Sequence, residues 1–207
     1  MTKTITFAIT AFLVIGLTAS PGLQNAMAKS NFVICADTTI DNQVVNSGIL
    51  VPSGTNCIIS ESTINGDITI ESESGLILEQ STVVGKVVAN NANAFAISDS
   101  TIFGDLLLNN VAGGSAASGE NTIHGDAIVK KGGTFALTGT LNGNLVLNEA
   151  VYAVAGALIN GKATITDTYV GAITSTTITG NAMCKGDNSL LFVSNITYLG
   201  KVKGCPV

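Results

Sequence analysis

Three aspartates, Asp67, Asp105 and Asp126, each directly follow a glycine, and Asp105 and Asp126 bracket His124, the only histidine of the chain. Carboxylates beside an imidazole are the groups that proton transfer or Ca²⁺ binding would use. That chemistry on an acidic polysaccharide also needs a strongly basic residue, and all nine basic residues are lysines. A single imidazole excludes any mechanism or metal site that requires two. At the other equivalent positions stand Lys86, Asn144, Lys162, Asn181 and Lys201, so the carboxylates form no unbroken row. They are expected to be solvated corner residues. No catalytic residue, no metal ligand and no cofactor is expected.

Two other sets carry more regular chemistry. Thr63, Thr82, Thr101, Thr122, Thr140, Thr177 and Thr197 recur in one sequence position, interrupted by Leu158. If the apolar residue after each points inward, these hydroxyls and methyls form an outward ladder that can order water or bind ice. The next outward position is irregular: Asn65, Val84, Phe103, His124, Asn142, Asn160, Thr179, Leu199. Threonine is also simply favoured on pleated surfaces. Phe103 and Val84 can begin an apolar patch for sugar stacking or protein contact. The second set is Cys35, Cys57, Cys184 and Cys205, separated by 22 and 21 residues within each pair.

The elements that position these residues follow from an internal repeat. Corner glycines stand at Gly66, Gly85, Gly104, Gly125, Gly143, Gly161, Gly180 and Gly200, at spacings of 19, 19, 21, 18, 18, 19 and 20. Two residues before each are Ile64, Val83, Ile102, Ile123, Leu141, Ile159, Ile178 and Tyr198. Two after are Ile68, Val87, Leu106, Ala127, Leu145, Ala163, Ala182 and Val202. Alternating apolar positions are the period of a strand with one buried face. Further apolar pairs, Leu76/Leu78, Phe95/Ile97 and Phe135/Leu137, lie about ten residues past a glycine. No stretch shows helical periodicity. The expected fold is all-β: a parallel β-helix (β-solenoid) of about nine rungs of ~19 residues, roughly 40 Å long at ~4.8 Å per rung.

Several consequences follow. The glycines mark corners with little room for a Cβ and often φ > 0, and Asn65, Asn142 and Asn160 before them give Asn-Gly turn signals. Val45, Ile49 and Val51 place a degenerate first rung within residues 35–60. Equivalent positions on adjacent rungs suit disulfide geometry, so Cys35–Cys57 and Cys184–Cys205 are the expected pairs, stapling the two ends. The segment Asn109 to Glu120, rich in Gly, Ala and Ser, is expected to bulge as a flexible loop. Asn195-Ile196-Thr197 is the only glycosylation sequon.

The chain has 207 residues, 46% hydrophobic and 11% charged, which rules out disorder. Its net charge of −5 and lack of arginine argue against nucleic acid as a partner. Lys3, the apolar run from Ile5 to about Thr18, and Ala26-Met27-Ala28 read as a secretory signal peptide over residues 1–28. The run is too short for a bilayer span. Ile34 is too bulky before Cys35 for a lipidation site. Residues 29–60 then form an N-terminal cap and first rung, and 61–207 the solenoid with its disulfide-capped last rung.

The Thr63-Ile64-Asn65-Gly66-Asp67 corner and its successors, with Val51 to Cys57 and Gly180 to Cys184, resemble a class of secreted bacterial and archaeal β-helix proteins with cysteines at both ends. That resemblance covers nearly the whole chain after residue 28 and implies right-handed coiling, which parallel crossovers also favour. It implies no activity. A weaker likeness is to bactofilins, polymer-forming solenoids, against which the leader and cysteines argue. The expected function is a secreted, non-catalytic structural or binding module at the cell surface or outside the cell, with polysaccharide or a surface protein as partner. The alternatives are a carbohydrate-active enzyme of the polysaccharide-lyase type and an ice-binding protein using the threonine ladder.

Overall fold

Within the strands of each repeat alternate residues are apolar, and in the computed structural model those residues turn into one continuous interior. The described residues are 32–112, 115–168, 171–186 and 191–205; the expected signal peptide lies outside them. They are all-β and form a parallel β-solenoid whose coils stack about nineteen residues apart.

Each coil contributes to three faces. The first begins at Phe32–Ile34 and runs through Gly48–Val51, Ile68–Ile70 and Val87–Asn90 to Val202–Lys203. The second runs from Thr38–Asp41 through Asn56–Ser60, Gly75–Glu79 and Ala94–Ser98 to Leu191–Ser194. The third is built of two-residue segments, from Val44–Val45 through Thr63–Ile64 and Thr82–Val83 to Thr197–Tyr198. Within Ala127–Leu141 and Leu145–Ile159 the rung-to-rung pairing continues past the corners, so one strand serves all three faces. Val45, Ile49 and Val51 fall in register with Ile64, Ile68 and Ile70.

Side chains of like kind stack inside. Ile68, Val87, Leu106, Ala127, Leu145, Ala163 and Ala182 form one buried column, and Ile64, Val83, Ile102, Ile123, Leu141, Ile159 and Ile178 another. Size is balanced between rungs: the ring of Tyr152 lies where a Cβ on its neighbour Gly171 would stand, so that glycine is the space the ring fills.

Two expectations about the corners change. None of the eight corner glycines has a positive φ. The other half of that expectation, little room for a Cβ, holds as crowding along the axis. A Cβ on Gly104 would stand 2.6 Å from the carbonyl carbon and oxygen of Gly85, and Gly125 meets Gly104 likewise. The left-handed positions fall elsewhere, on polar residues such as Glu61, Gln80, Asp99 and Ser175, and on Glu73, Asn91, Lys131 and Asp167. The Asn-Gly asparagines are not simple turn formers either. Asn65 Nδ2 donates to Asn46 Oδ1 and Asn160 Nδ2 to Asn142 Oδ1, both at 2.8 Å along the axis.

The described residues of the segment Asn109 to Glu120 also do not form a bulging loop. Its flanks form strands, Leu106–Val111 and Ser115–Ser118, and the latter pairs with Phe95–Ser98 of the rung before. The two residues beyond nineteen are absorbed one at each corner. Asn90↔Asn109 gives way to Phe95↔Ser115, and Ser98↔Ser118 to Thr101↔Thr122.

Candidate functional site

The aspartate column is the first place to look for chemistry, and one oxygen of each carboxylate is tied to the next rung. Asp105 Oδ1 accepts the backbone N–H of Asp126 at 2.8 Å. Asp126 Oδ1 accepts both the backbone N–H (2.7 Å) and Nδ2 (3.0 Å) of Asn144. Asp67 Oδ1 accepts from Lys86 N–H, Asn144 Oδ1 from Lys162 N–H, and Asn181 Oδ1 from Lys201 N–H, each at 3.0 Å. The carboxamides and carboxylates after the corner glycine thus tie one coil to the next. A carboxylate acceptor at this place holds the next rung's corner, and the mixture of Asp and Asn follows because either oxygen serves. Among the described residues, no group of three or more His, Cys, Asp or Glu is placed to hold a metal ion.

The third face carries the threonines. Thr63, Thr82, Thr101, Thr122 and Thr140 are paired directly from rung to rung, followed by Leu158, Thr177 and Thr197. Their short two-residue strands keep this face narrow and flat. In the row beside them the Phe103 ring is 51% exposed and Val84 is 50% exposed. Phe103 and His124 stack with centroids 4.6 Å apart and planes 6° from parallel. Asn142 Oδ1 is taken by Asn160 Nδ2, which turns Asn142 Nδ2 toward His124 Nδ1 at 3.1 Å. His124 is therefore joined to an aromatic platform and an amide row, while its expected carboxylate neighbours bond elsewhere.

The other faces are plainer. Outward on the first face are Leu50, Val88, Leu107, Ile128, Val146 and Met183, each half-buried by its neighbours. Outward on the second, Ile58 and Ile77 are stacked and exposed, followed by Ala96 and Ala136. Asn195 of the sequon is exposed at a corner.

One polar row was not expected from the sequence. Ser62, Ser81, Ser100, Asn121 and Thr176 are buried at the corner between the second and third faces. Ser81 Oγ accepts Ser62 N–H at 3.0 Å and donates to Glu79 O at 2.6 Å; Ser100 repeats both bonds with Ser81 N–H and Ser98 O. Asn121 Oδ1 continues the row by accepting Ser100 N–H. The signal was present as the residue before each ladder threonine, but serine there reads equally as exposed.

Both disulfides are formed at the ends, Cys35–Cys57 and Cys184–Cys205, with Cα separations of 5.5 and 4.8 Å. Two such bonds point to an oxidising environment. Tyr152 is the one strongly perturbed group: burial pushes its hydroxyl up to about 12, with the Thr168 hydroxyl pulling the other way. It belongs to the core. No family model, no curated protein and no solved structure matches the chain.

Proposed function

We propose that the protein is a secreted, non-catalytic module that binds an extended polysaccharide along its third face. The observation that carries this reading is the Phe103–His124 platform, exposed beside the middle of an in-register threonine row. The apolar ring face offers a surface for the C–H face of a sugar. Hydroxyls of Thr82, Thr101 and Thr122 and the amides of Asn142 and Asn160 offer donors and acceptors at intervals of one rung, about 4.8 Å, comparable with one sugar unit of an extended chain. A contiguous exposed apolar patch rimmed by polar groups marks a recognition surface, and Val84 and Phe103, one rung apart in the same row, begin such a patch. Secretion is supported by the apolar leader and by the two disulfides, and the likeness to secreted β-helix proteins with terminal cysteines agrees with both.

The non-catalytic part is supported by the engagement of Asp105 and Asp126 with the next rung's backbone. An enzyme of the polysaccharide-lyase type would cleave polyuronates and lose that activity on Asp105→Ala. The test is a glycan array with the purified protein: retention without turnover is expected, lost on Phe103→Ala and kept on Leu50→Ala. Turnover of a bound polysaccharide, or retention untouched by Phe103→Ala, overturns the reading. The unbroken pairing of five threonines favours one second reading, ordering of water at ice. That reading requires thermal hysteresis abolished by Thr101→Tyr.

A further inference from the structure

The solenoid is electrically polar along its axis. Residues 32–120 contain ten carboxylates and one lysine, Lys86, a net of −9; residues 121–207 contain four carboxylates and six lysines, a net of +2. Stacking turns this sequence asymmetry into a spatial one, because each coil sits directly on the one before. At the first end Asp37, Asp41 and Glu61 are exposed, and at the last end Lys185, Lys201 and Lys203 are exposed. Among the described residues these are the charged groups nearest the two ends, and a Debye length of ~8 Å covers about two rungs.

The two ends also carry unpaired strands in matching frames. Among the described residues, Phe32–Ile34, Thr38–Asp41 and Val44–Val45 each pair on one side only. So do Leu191–Ser194, Thr197–Tyr198 and Val202–Lys203 at the other end. Exposed apolar groups accompany them: Phe32, Val33, Ile34 and Val44 at the first end and Leu199 at the last. Open parallel edges are templates for another chain unless blunted, and proteins blunt them with charge. Charge of one sign at both ends would do so. Opposite charge repels first end from first end and last from last, but attracts first to last.

We infer that copies of this chain associate head to tail, the Val202–Lys203 end of one seating on the Phe32–Ile34 end of the next, to make a polar fibre. Continuing the columns fixes the register: Val202 over Val33, Tyr198 over Val45 and Thr197 over Val44. The contact is heterologous and does not close, so it propagates. It concerns the ends of the solenoid, whereas glycan binding concerns its side, so each can fail without the other.

Sedimentation velocity on the purified protein at low salt tests this. Association rising with concentration is expected, weakened on the order of tenfold or more by high salt and by Asp37→Lys/Asp41→Lys or Lys201→Glu/Lys203→Glu. Mixing the two reversed variants, each of which is monomeric alone, is expected to restore association, which misfolding would not. A mixture of Val44→Cys and Thr197→Cys proteins is expected to cross-link between the two kinds and not within either. A protein that stays monomeric, association indifferent to charge reversal, or failure of the mixture to associate overturns the inference. So does slow hydrogen exchange at Val33 and Val44 in a monomer, which would show the chain's own first residues covering that edge.

Discussion

Replacing Gly104 by alanine puts a methyl group 2.6 Å from the carbonyl carbon and oxygen of Gly85 and 2.7 Å from Lys86 N, against an ordinary contact limit of 3.4 Å. The shortfall is about 0.8 Å, and the obstructing atoms are backbone, so no side chain can swing away. Opening the rungs by that amount would break the Gly104 N–H to Gly85 O bond, now 3.1 Å. Overpacking of ~1–3 kcal/mol and a lost bond of about 1 kcal/mol together give roughly 2–4 kcal/mol of destabilisation. Gly156 is the control: its φ is +64°, but nothing lies within 4 Å of a Cβ there. Gly156→Ala should cost only the left-handed penalty, ~1–2 kcal/mol. Urea or thermal unfolding followed by far-UV circular dichroism measures both, at roughly 2–4 °C per kcal/mol for a chain this size. If Gly104→Ala is as mild as Gly156→Ala, the corner glycines are not there for axial approach and the argument fails.

Ser81→Ala removes one bond received from Ser62 N–H and one given to Glu79 O at a buried corner. A loss of ~1–3 kcal/mol is expected in the same unfolding assay, and an unchanged midpoint would show that water replaces the hydroxyl. The double variant Cys184→Ser/Cys205→Ser opens a 21-residue loop, for which chain entropy predicts about 3 kcal/mol. Because each coil contacts only its neighbours, hydrogen exchange should quicken at Val202 and Lys203 and stay unchanged near Gly104. Tyr152 has its hydroxyl raised from 10.0 to about 12 by burial. The unfolded chain loses that proton first, so stability is intact below pH 10 and falls as pH rises toward 12. Ultraviolet titration of phenolate against unfolding checks this; Tyr152→Phe should flatten the decline.

The coil, its repeat of about nineteen residues and its inward columns were legible because they rest on period. Ile64, Ile68 and Ile70 recur with their equivalents in every repeat, and the pleat leaves each no other place than the interior. The cysteine pairs were legible for the same reason, each being one coil apart. The corners were not. Glycine signals either a left-handed φ or a close approach, and only the distance from Gly104 to Gly85 distinguishes them. Some of the left-handed residues, Glu61, Gln80 and Lys131 among them, are of types that carry no turn signal, although others, such as Asn91 and Asp99, do carry one. Asn109 to Glu120 looked like a loop from its composition. Yet alanine and serine serve in a strand when the rungs on either side supply the ladder.

The candidate surface shows the same division. Phe103, His124 and the threonines were identifiable as one outward neighbourhood, but a list of residues cannot say that two rings lie parallel or that Asn142 turns its amide toward the imidazole. The aspartates were placed at the right corner and expected to face solvent, whereas they reach along the axis to the next coil. A stacked fold determines from sequence whatever depends on repetition, because each column is a sum over copies and small departures average out. Hydrogen-bond direction, ring orientation and the reason for a glycine depend on atoms about nineteen residues away in sequence and one rung away in space. Only the assembled coils bring those atoms within reach.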